Sequence, residues 1–102
     1  MVTDESANPL TDMFVVACTT DDSVCKSTFS GAGAYTVGGL PTGEYIVEFS
    51  DPFSSYYLNE FYDDVTDWGS ATLVKVTAGA DTPGINAALG RPGSISGTVT
   101  GV

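Results

Sequence analysis

The sequence predicts an all-β protein, folded as a two-layer sandwich of seven short strands. Apolar and polar residues alternate with a period of two along most of the 102 residues, and no long window has helical spacing without an interrupting Gly or Pro. Turn signals rich in Gly, Pro and Asp separate these segments at the short intervals typical of sandwiches. The predicted strands are Met13–Thr19, Val24–Phe29, Ala34–Val37, Glu44–Ser50, Ala71–Thr77, Gly84–Leu89 and Ser94–Thr100.

Composition limits both the size and the functions of this chain. A chain of 102 residues fills one hydrophobic core rather than two. Its formal charge of −10 repels phosphate backbones and anionic lipid, so nucleic acid and membrane surfaces are not expected partners. No segment has the roughly 18 apolar residues of a membrane span. The absence of histidine excludes Ser-His, Cys-His and His-zinc sites, and we predict no enzymatic activity.

The first two predicted strands form a hairpin. Cys18 and Cys25, the only cysteines, lie on either side of its turn. Pairing them also places Phe14 opposite Phe29, as an antiparallel hairpin allows. A disulfide that closes so short a loop contributes roughly 2–3 kcal/mol and indicates an oxidising compartment. The alternative is a pair of reduced, buried thiols in a cytosolic protein.

Alternation also assigns the faces of the strand Glu44–Ser50. Tyr45, Val47 and Phe49 fall on one side and are predicted to face the core. The following segment, Pro52–Trp68, breaks the alternation, because seven of its seventeen residues are aromatic or leucine. We predict a long crossover that turns these aromatic side chains inward.

A run in the middle of the chain carries a family signature. Residues 33–47 read Gly-Ala-Tyr-Thr-Val-Gly-Gly-Leu-Pro-Thr-Gly-Glu-Tyr-Ile-Val. This run resembles the G-x-Y-x-x-x-G-L-P-x-G-x-Y-x-V signature of carboxypeptidase regulatory-like domains, which are related to collagen-adhesin B-type repeats. Residues 71–79 and 84–89 look like the family's penultimate and last strands, and residues 93–100 look like its first. The resemblance implies a prealbumin-like, Ig-like sandwich of Greek-key type.

The strand order is shifted relative to that family, because the segment that resembles the first strand comes last. We therefore divide this single domain into an incomplete sandwich core, residues 1–90, and a linker with a donor-type strand, residues 91–102. The residues of the donor strand are Ser94, Ile95, Ser96, Gly97, Thr98, Val99 and Thr100.

A sandwich without its first strand exposes unpaired backbone groups and apolar side chains, so a strand must fill that place. Alternation makes Ile95 and Val99 the apolar pegs of the donor strand, and Gly97 permits close backbone approach. Three alternatives stay open. The strand folds back through the turn Gly90–Gly93 into its own domain, or it inserts into the next molecule and propagates a head-to-tail filament, or the sequence is cut at an arbitrary point of a longer array.

Two further groups of residues are candidate ligand sites. Calcium is the one cofactor that the sequence suggests, through the carboxylates Asp51, Asp63, Asp64 and Asp67; the alternative is a solvated acidic loop. A sugar-stacking platform is the second candidate, and its alternative is packing in the core or against a neighbouring domain. The aromatic residues of this platform are Tyr56, Tyr57, Tyr62 and Trp68.

Together these patterns predict a structural extracellular module without catalytic residues. It is expected to be a repeat unit or fibre subunit of a microbial surface protein, with a copy of itself or a neighbouring repeat as partner. The alternative class is a carbohydrate- or calcium-binding accessory or adhesin domain of a larger secreted protein, with a glycan or a surface protein as partner.

Overall fold

A computed structural model of the protein describes residues 1–52 and 57–101. Their regular structure is β throughout, apart from one turn of 3₁₀ helix at Trp68–Ser70, which confirms the all-β prediction for these ranges. The seven strands are β1 (Val2–Asp4), β2 (Phe14–Thr19), β3 (Cys25–Phe29), β4 (Gly43–Ser50), β5 (Glu60–Phe61), β6 (Val74–Val76) and β7 (Ala87–Leu89).

Five of these strands form an antiparallel sheet around β4. The sheet has the order β3-β2-β4-β5, and β6 pairs with the beginning of β4 on the edge that β5 occupies near its end. In the hairpin, β2 pairs with β3 so that Phe14 lies opposite Phe29 and Cys18 opposite Cys25. The register predicted from the two cysteines is therefore confirmed.

The two remaining strands, β1 and β7, form a parallel pair. Their apolar residues join the same hydrophobic core as the five-stranded sheet: Val2 and Leu89 are fully buried, as are Val15 and Phe49 from the other sheet. Burying such side chains removes apolar surface from water, the main term that stabilises a domain of this size. The molecule thus has two sheets that share one core.

The predicted core face of β4 is confirmed. Tyr45, Val47 and Phe49 are all buried members of the core cluster. The Tyr45 hydroxyl reaches the end of the core and donates a hydrogen bond of 2.6 Å to the carbonyl oxygen of Pro41. Ile46 is also buried, at 5% exposure, although it points away from this face and is not part of the cluster.

Two predicted strands do not form. Ala34 makes only an isolated bridge with Gly31, and the rest of Ala34–Val37 is irregular. Ser94–Thr100 is irregular throughout and fully exposed. Both segments have the alternation of a strand, but a strand also needs a neighbour for its backbone N–H and C=O groups. Within the described chain neither segment has such a neighbour, apart from the single bridge at Ala34.

Other strands are shorter than predicted, because a strand ends where the neighbouring strand no longer pairs with it. The strand β6 is shorter than the predicted Ala71–Thr77, since it pairs only with Gly43–Tyr45. The strand β7 is shorter than Gly84–Leu89, since β1 covers only its last three residues. Alternation does not reveal β1 itself, because three residues are too few to show a period.

The predicted crossover contains β5 and only partly turns inward. Tyr57 and Tyr62 are half-buried and pack against the core, as predicted. Trp68 remains exposed, at 40%, so the prediction is wrong for this ring. The indole of Trp68 instead packs edge-on against Phe61 on the surface, with ring centroids 5.7 Å apart.

Candidate functional site: the C-terminal tail and an apolar groove

The C-terminal tail, defined as Ser94–Gly101, follows β7 through the linker Gly90–Gly93. Every tail residue is exposed, and Ile95 and Val99 are as exposed as in an extended chain, at 101% and 100%. A side chain added at Gly97 would meet no atom within 4 Å. No hydrogen bond joins the tail to the rest of the described chain. The predicted donor strand is therefore unpaired within this molecule.

The dimensions of the molecule agree with a tail that extends away from the core. The Cα radius of gyration is 16.1 Å and the longest dimension is 68 Å. A compact chain of this length has a radius of gyration of about 13 Å. The tail thus presents two apolar side chains, Ile95 and Val99, to solvent. Their apolar surface is not buried against the core and does not contribute to stability there.

A groove of about 670 Å³ with an apolar floor lies on the core side of the five-stranded sheet. Its two flanks are the irregular segments Tyr35–Leu40 and Gly79–Ile85, and Met1 also lines it. Its floor consists of core residues from three strands, which are Ala17, Tyr45, Val47, Val74 and Val76. Part of the core surface is therefore covered by neither sheet.

Both flanks of the groove contain backbone that no strand has paired. Among the described residues, the N–H groups of Tyr35–Leu40 and of Gly84–Asn86 make no backbone hydrogen bond. The two flanks approach each other at one end, where the Tyr35 hydroxyl donates a hydrogen bond of 2.5 Å to the carbonyl oxygen of Ile85. Burial raises the pKa of Tyr35 to about 12, so the phenol keeps the proton that this bond needs.

The groove starts where β1 begins. The Ala87 N–H donates to the Met1 carbonyl oxygen at 3.0 Å, and the Val2 N–H donates to the Gly33 carbonyl oxygen at 2.7 Å. The strand β1 thus lies between β7 on one side and Gly33 on the other. The residues that continue these two neighbours, upstream of Ala87 and downstream of Gly33, are the flanks of the groove.

The tail and the groove carry almost no charged side chains, although the molecule as a whole is acidic. The tail carries no ionisable side chain, and among the residues that the structure describes Asp81 is the one charged side chain that lines the groove. The whole chain has a formal charge of −10. Copies of the protein therefore repel each other over most of their surface, but not at these two places.

The two cysteines predicted to pair do form a disulfide, Cys18–Cys25, with a Cα–Cα distance of 4.2 Å. The bond indicates a non-reducing compartment. Asp21 orders the turn that it closes, because its carboxylate accepts hydrogen bonds of 2.7 Å from the hydroxyls of Thr19 and Ser23. These bonds, led by that of Thr19, lower the pKa of Asp21 to about 2.

The structure does not gather the four aspartates predicted as calcium ligands into one cluster. Asp51 is buried, whereas Asp63, Asp64 and Asp67 are exposed. In the described part of the chain, the one set of three potential ligand atoms within 4.8 Å of one another is Cys18, Asp22 and Cys25, and both its sulfurs belong to the disulfide. Calcium binding stays a prediction.

Glu60, which the sequence places near the carboxylates predicted to bind calcium, has an unusual setting. Its Oε1 atom is buried and has no hydrogen-bond partner among the described residues. Burial, and next the negative charge of Asp64, raise the pKa of Glu60 to about 7. Glu60 lies half-buried on β5. The unusual pKa of its carboxyl group can be recognised only when the positions of the neighbouring carboxylates are known.

Replacing Glu60 by glutamine is expected to stabilise the protein above pH 7 by about 1 kcal/mol, a figure kept small because water screens a half-buried group. The folded state binds the Glu60 proton more tightly than the unfolded state, so this group's contribution is complete at acid pH and is lost as the pH rises from about 4.5 to about 7. Urea denaturation at pH 5 and pH 8 measures the effect. Glu44→Gln removes the same charge from an exposed site, and an equal gain in that control would contradict the assignment.

The aromatic residues predicted as a sugar platform are not all in one place. Tyr56 lies outside the described residues. Tyr57 and Tyr62 pack against the core, and the Arg91 guanidinium lies 5.8 Å from the centre of the Tyr57 ring. Trp68 is the more exposed ring, on the surface beside Phe61. Glycan binding also stays a prediction.

The sequence predicts a gap where the first strand is missing, but sequence reasoning did not identify the segments that flank the groove. The predicted strands Ala34–Val37 and Gly84–Leu89 indicate these flanks. Each needs a neighbouring strand, and the shifted strand order leaves the place of that neighbour empty. None of the described helical residues forms a segment long and apolar enough to cross a membrane. Comparison of the chain with known protein families, with curated proteins and with solved structures finds no match.

Proposed function

We propose that this chain is a structural extracellular module, a repeat unit or fibre subunit of a microbial surface protein, that assembles head-to-tail by donating its C-terminal strand. The proposal includes a prealbumin-like sandwich of Greek-key type as the complete fold and assigns the chain no catalytic role. One observation carries it. The tail has the alternation of a half-buried strand, yet Ile95 and Val99 are fully exposed in the isolated chain.

Strand donation explains this mismatch between pattern and exposure. A strand added to another molecule obtains backbone hydrogen bonds from the sheet edge and places alternate side chains in pockets. Burying Ile95 and Val99 in this way would contribute roughly 1.5–3 kcal/mol for each side chain. A head-to-tail contact leaves one free tail and one free acceptor at the ends, so assembly continues as a filament.

The disulfide supports the extracellular part of the proposal. Disulfides persist in oxidising environments such as the cell exterior, and small secreted domains rely on them for stability. Extracellular fibres also need subunits that remain soluble before assembly, and the charge of −10 favours this.

Removing the tail is expected to abolish assembly. The full chain should form ladders or fibres in size-exclusion chromatography and negative-stain microscopy, whereas a chain that ends at Leu89 should remain monomeric. Ile95→Asp with Val99→Asp keeps the tail but puts charge on its apolar face, and should also remain monomeric. Ser94→Asp with Ser96→Asp is the matched control, with the same charge on the opposite face, and should assemble. A monomeric full chain at both low and high ionic strength would refute strand donation.

A further inference from the structure

We infer that the groove between Tyr35–Leu40 and Gly79–Ile85 is the acceptor for the tail of a second copy, which lies there in line with β1 and parallel to β7. This inference rests on the proposed function, and it adds the site, the direction and the inward face of the donated strand. The groove, the end of β1, the pattern of the tail and the length of the linker each contribute one step.

The first step concerns three segments that have strand patterns but do not form complete strands. In the assembly these segments pair with one another. Ala34–Val37 and Gly84–Leu89 have strand patterns, but the first is irregular and the second forms only at Ala87–Leu89. Their unformed parts are the two flanks of one groove. The third unformed strand, Ser94–Thr100, is free in solvent. A single event, docking of the third between the first two, supplies the backbone partner that each of them lacks.

The second step is direction. The strand β1 runs parallel to β7, in the register Val2↔Ala87. A strand that continues β1 upstream of Met1 with the same polarity extends this parallel ladder onto Gly84–Asn86. The carboxyl end of the donor then lies next to Met1, Tyr35 and Ile85. Its amino end lies near Asp81, at the far end of the groove.

The third step is the face that the donor turns inward. Val2 is fully buried against the core, and side chains of a strand alternate strictly between its two faces. On the tail, Ile95, Gly97 and Val99 share one face and have no polar atom in their side chains. The groove floor beneath them consists of apolar side chains and the ring of Tyr45. The polar side chains of the tail then point away from the floor.

The fourth step excludes the chain's own tail as the occupant. A connection between adjacent parallel strands has to cross over, which takes about a dozen residues or more. The linker Gly90–Gly93 offers four residues between the end of β7 and the tail. The tail cannot return to the beginning of β7 through so short a linker, so a parallel donor must come from another copy.

Charge favours the same partner. The donor segment is uncharged, and Asp81 is the one charged side chain in the described lining of the groove. Two copies that each carry a formal charge of −10 can therefore meet at tail and groove while their acidic surfaces stay apart. A second copy fits this groove better than a basic partner, for which the lining offers almost no counter-charge.

Pairs of cysteines introduced into the full chain test the direction and the occupant together. Thr36 is exposed beside Tyr35 at the Met1 end of the groove, and Asp81 is exposed at the other end. After mild oxidation, Thr36→Cys with Thr100→Cys should give a ladder of covalent multimers on a non-reducing gel, and Asp81→Cys with Thr100→Cys should not. With Ser94→Cys as the donor position the pattern should reverse. Each single variant, with one added thiol, can form dimers at most and is the control.

Each outcome bears on the inference. Ladders from Thr36–Thr100 and Asp81–Ser94 alone support it. Ladders from the two opposite pairs would show an antiparallel donor, and a disulfide within one chain would show that the tail docks in its own groove; either result overturns it. Assemblies that form without a cross-link in any pair would overturn this site while leaving strand donation in place. Failure of the unsubstituted chain to assemble would instead refute the proposed function.

Discussion

Replacing Phe49 by alanine is expected to lower the free energy of unfolding by about 3–5 kcal/mol. Phe49 is fully buried in the central strand β4, between Val15 on β2 and Glu60 on β5. Its ring also contacts Tyr35 edge-on, with centroids 5.8 Å apart. The substitution therefore opens a cavity where the two sheets and one groove flank meet. Small domains have about 5–15 kcal/mol of stability in total, so a large part of it is at stake.

Urea denaturation followed by circular dichroism measures this loss. Phe29→Ala is the matched control, because it removes the same ring from a residue that is 50% exposed. Phe29 contacts Phe14 with centroids 5.3 Å apart, so a loss of at most about 1.5 kcal/mol is expected there. Equal losses in the two variants would mean that Phe49 is not the centre of the core.

Removing the disulfide has the second large effect. Replacing both Cys18 and Cys25 by serine is expected to lower the free energy of unfolding by roughly 2–3 kcal/mol, because the bond restricts the loop between them in the unfolded chain. The folded hairpin should persist, since ladder pairs from Phe14↔Phe29 to Ala17↔Lys26 also join β2 to β3.

Reductant provides an internal test of the same prediction. Dithiothreitol should shift the urea midpoint of the native protein to that of the double serine variant and leave the variant itself unchanged. A native protein whose thiols are shown to be reduced, yet whose midpoint does not move, would contradict the stabilising role of the bond.

The sequence patterns that predicted the fold correctly were those that extend over several consecutive residues. Six to eight residues of alternation define β2 and β4, and the cysteine spacing defines the register of β2 against β3. The strands β1 and β5 have three and two residues, and such lengths carry no period. Their existence depends on β7 and β4, which lie far away in sequence.

The tail and the groove show what alternation alone cannot predict. Ser94–Thr100 and Ala34–Val37 both carry the pattern of a strand, and neither forms one in the isolated chain. Alternation reports which side chains would face inward once a strand is paired; it does not report whether a partner is present. The donor residues were therefore predictable, whereas the flanks that we propose as their acceptor required the placement of β1 next to β7.

The parallel pairing of β1 with β7 also bears on how the molecule responds to mechanical tension. The amino side of Val2 and the carboxyl side of Leu89 lie at opposite ends of this pair. Tension applied along the chain at those two points draws the strands past each other lengthwise. Their hydrogen bonds then bear the load in shear and together, rather than opening one after another as in a peeled hairpin. A subunit held at these points would resist stretching until the whole pair gives way at once.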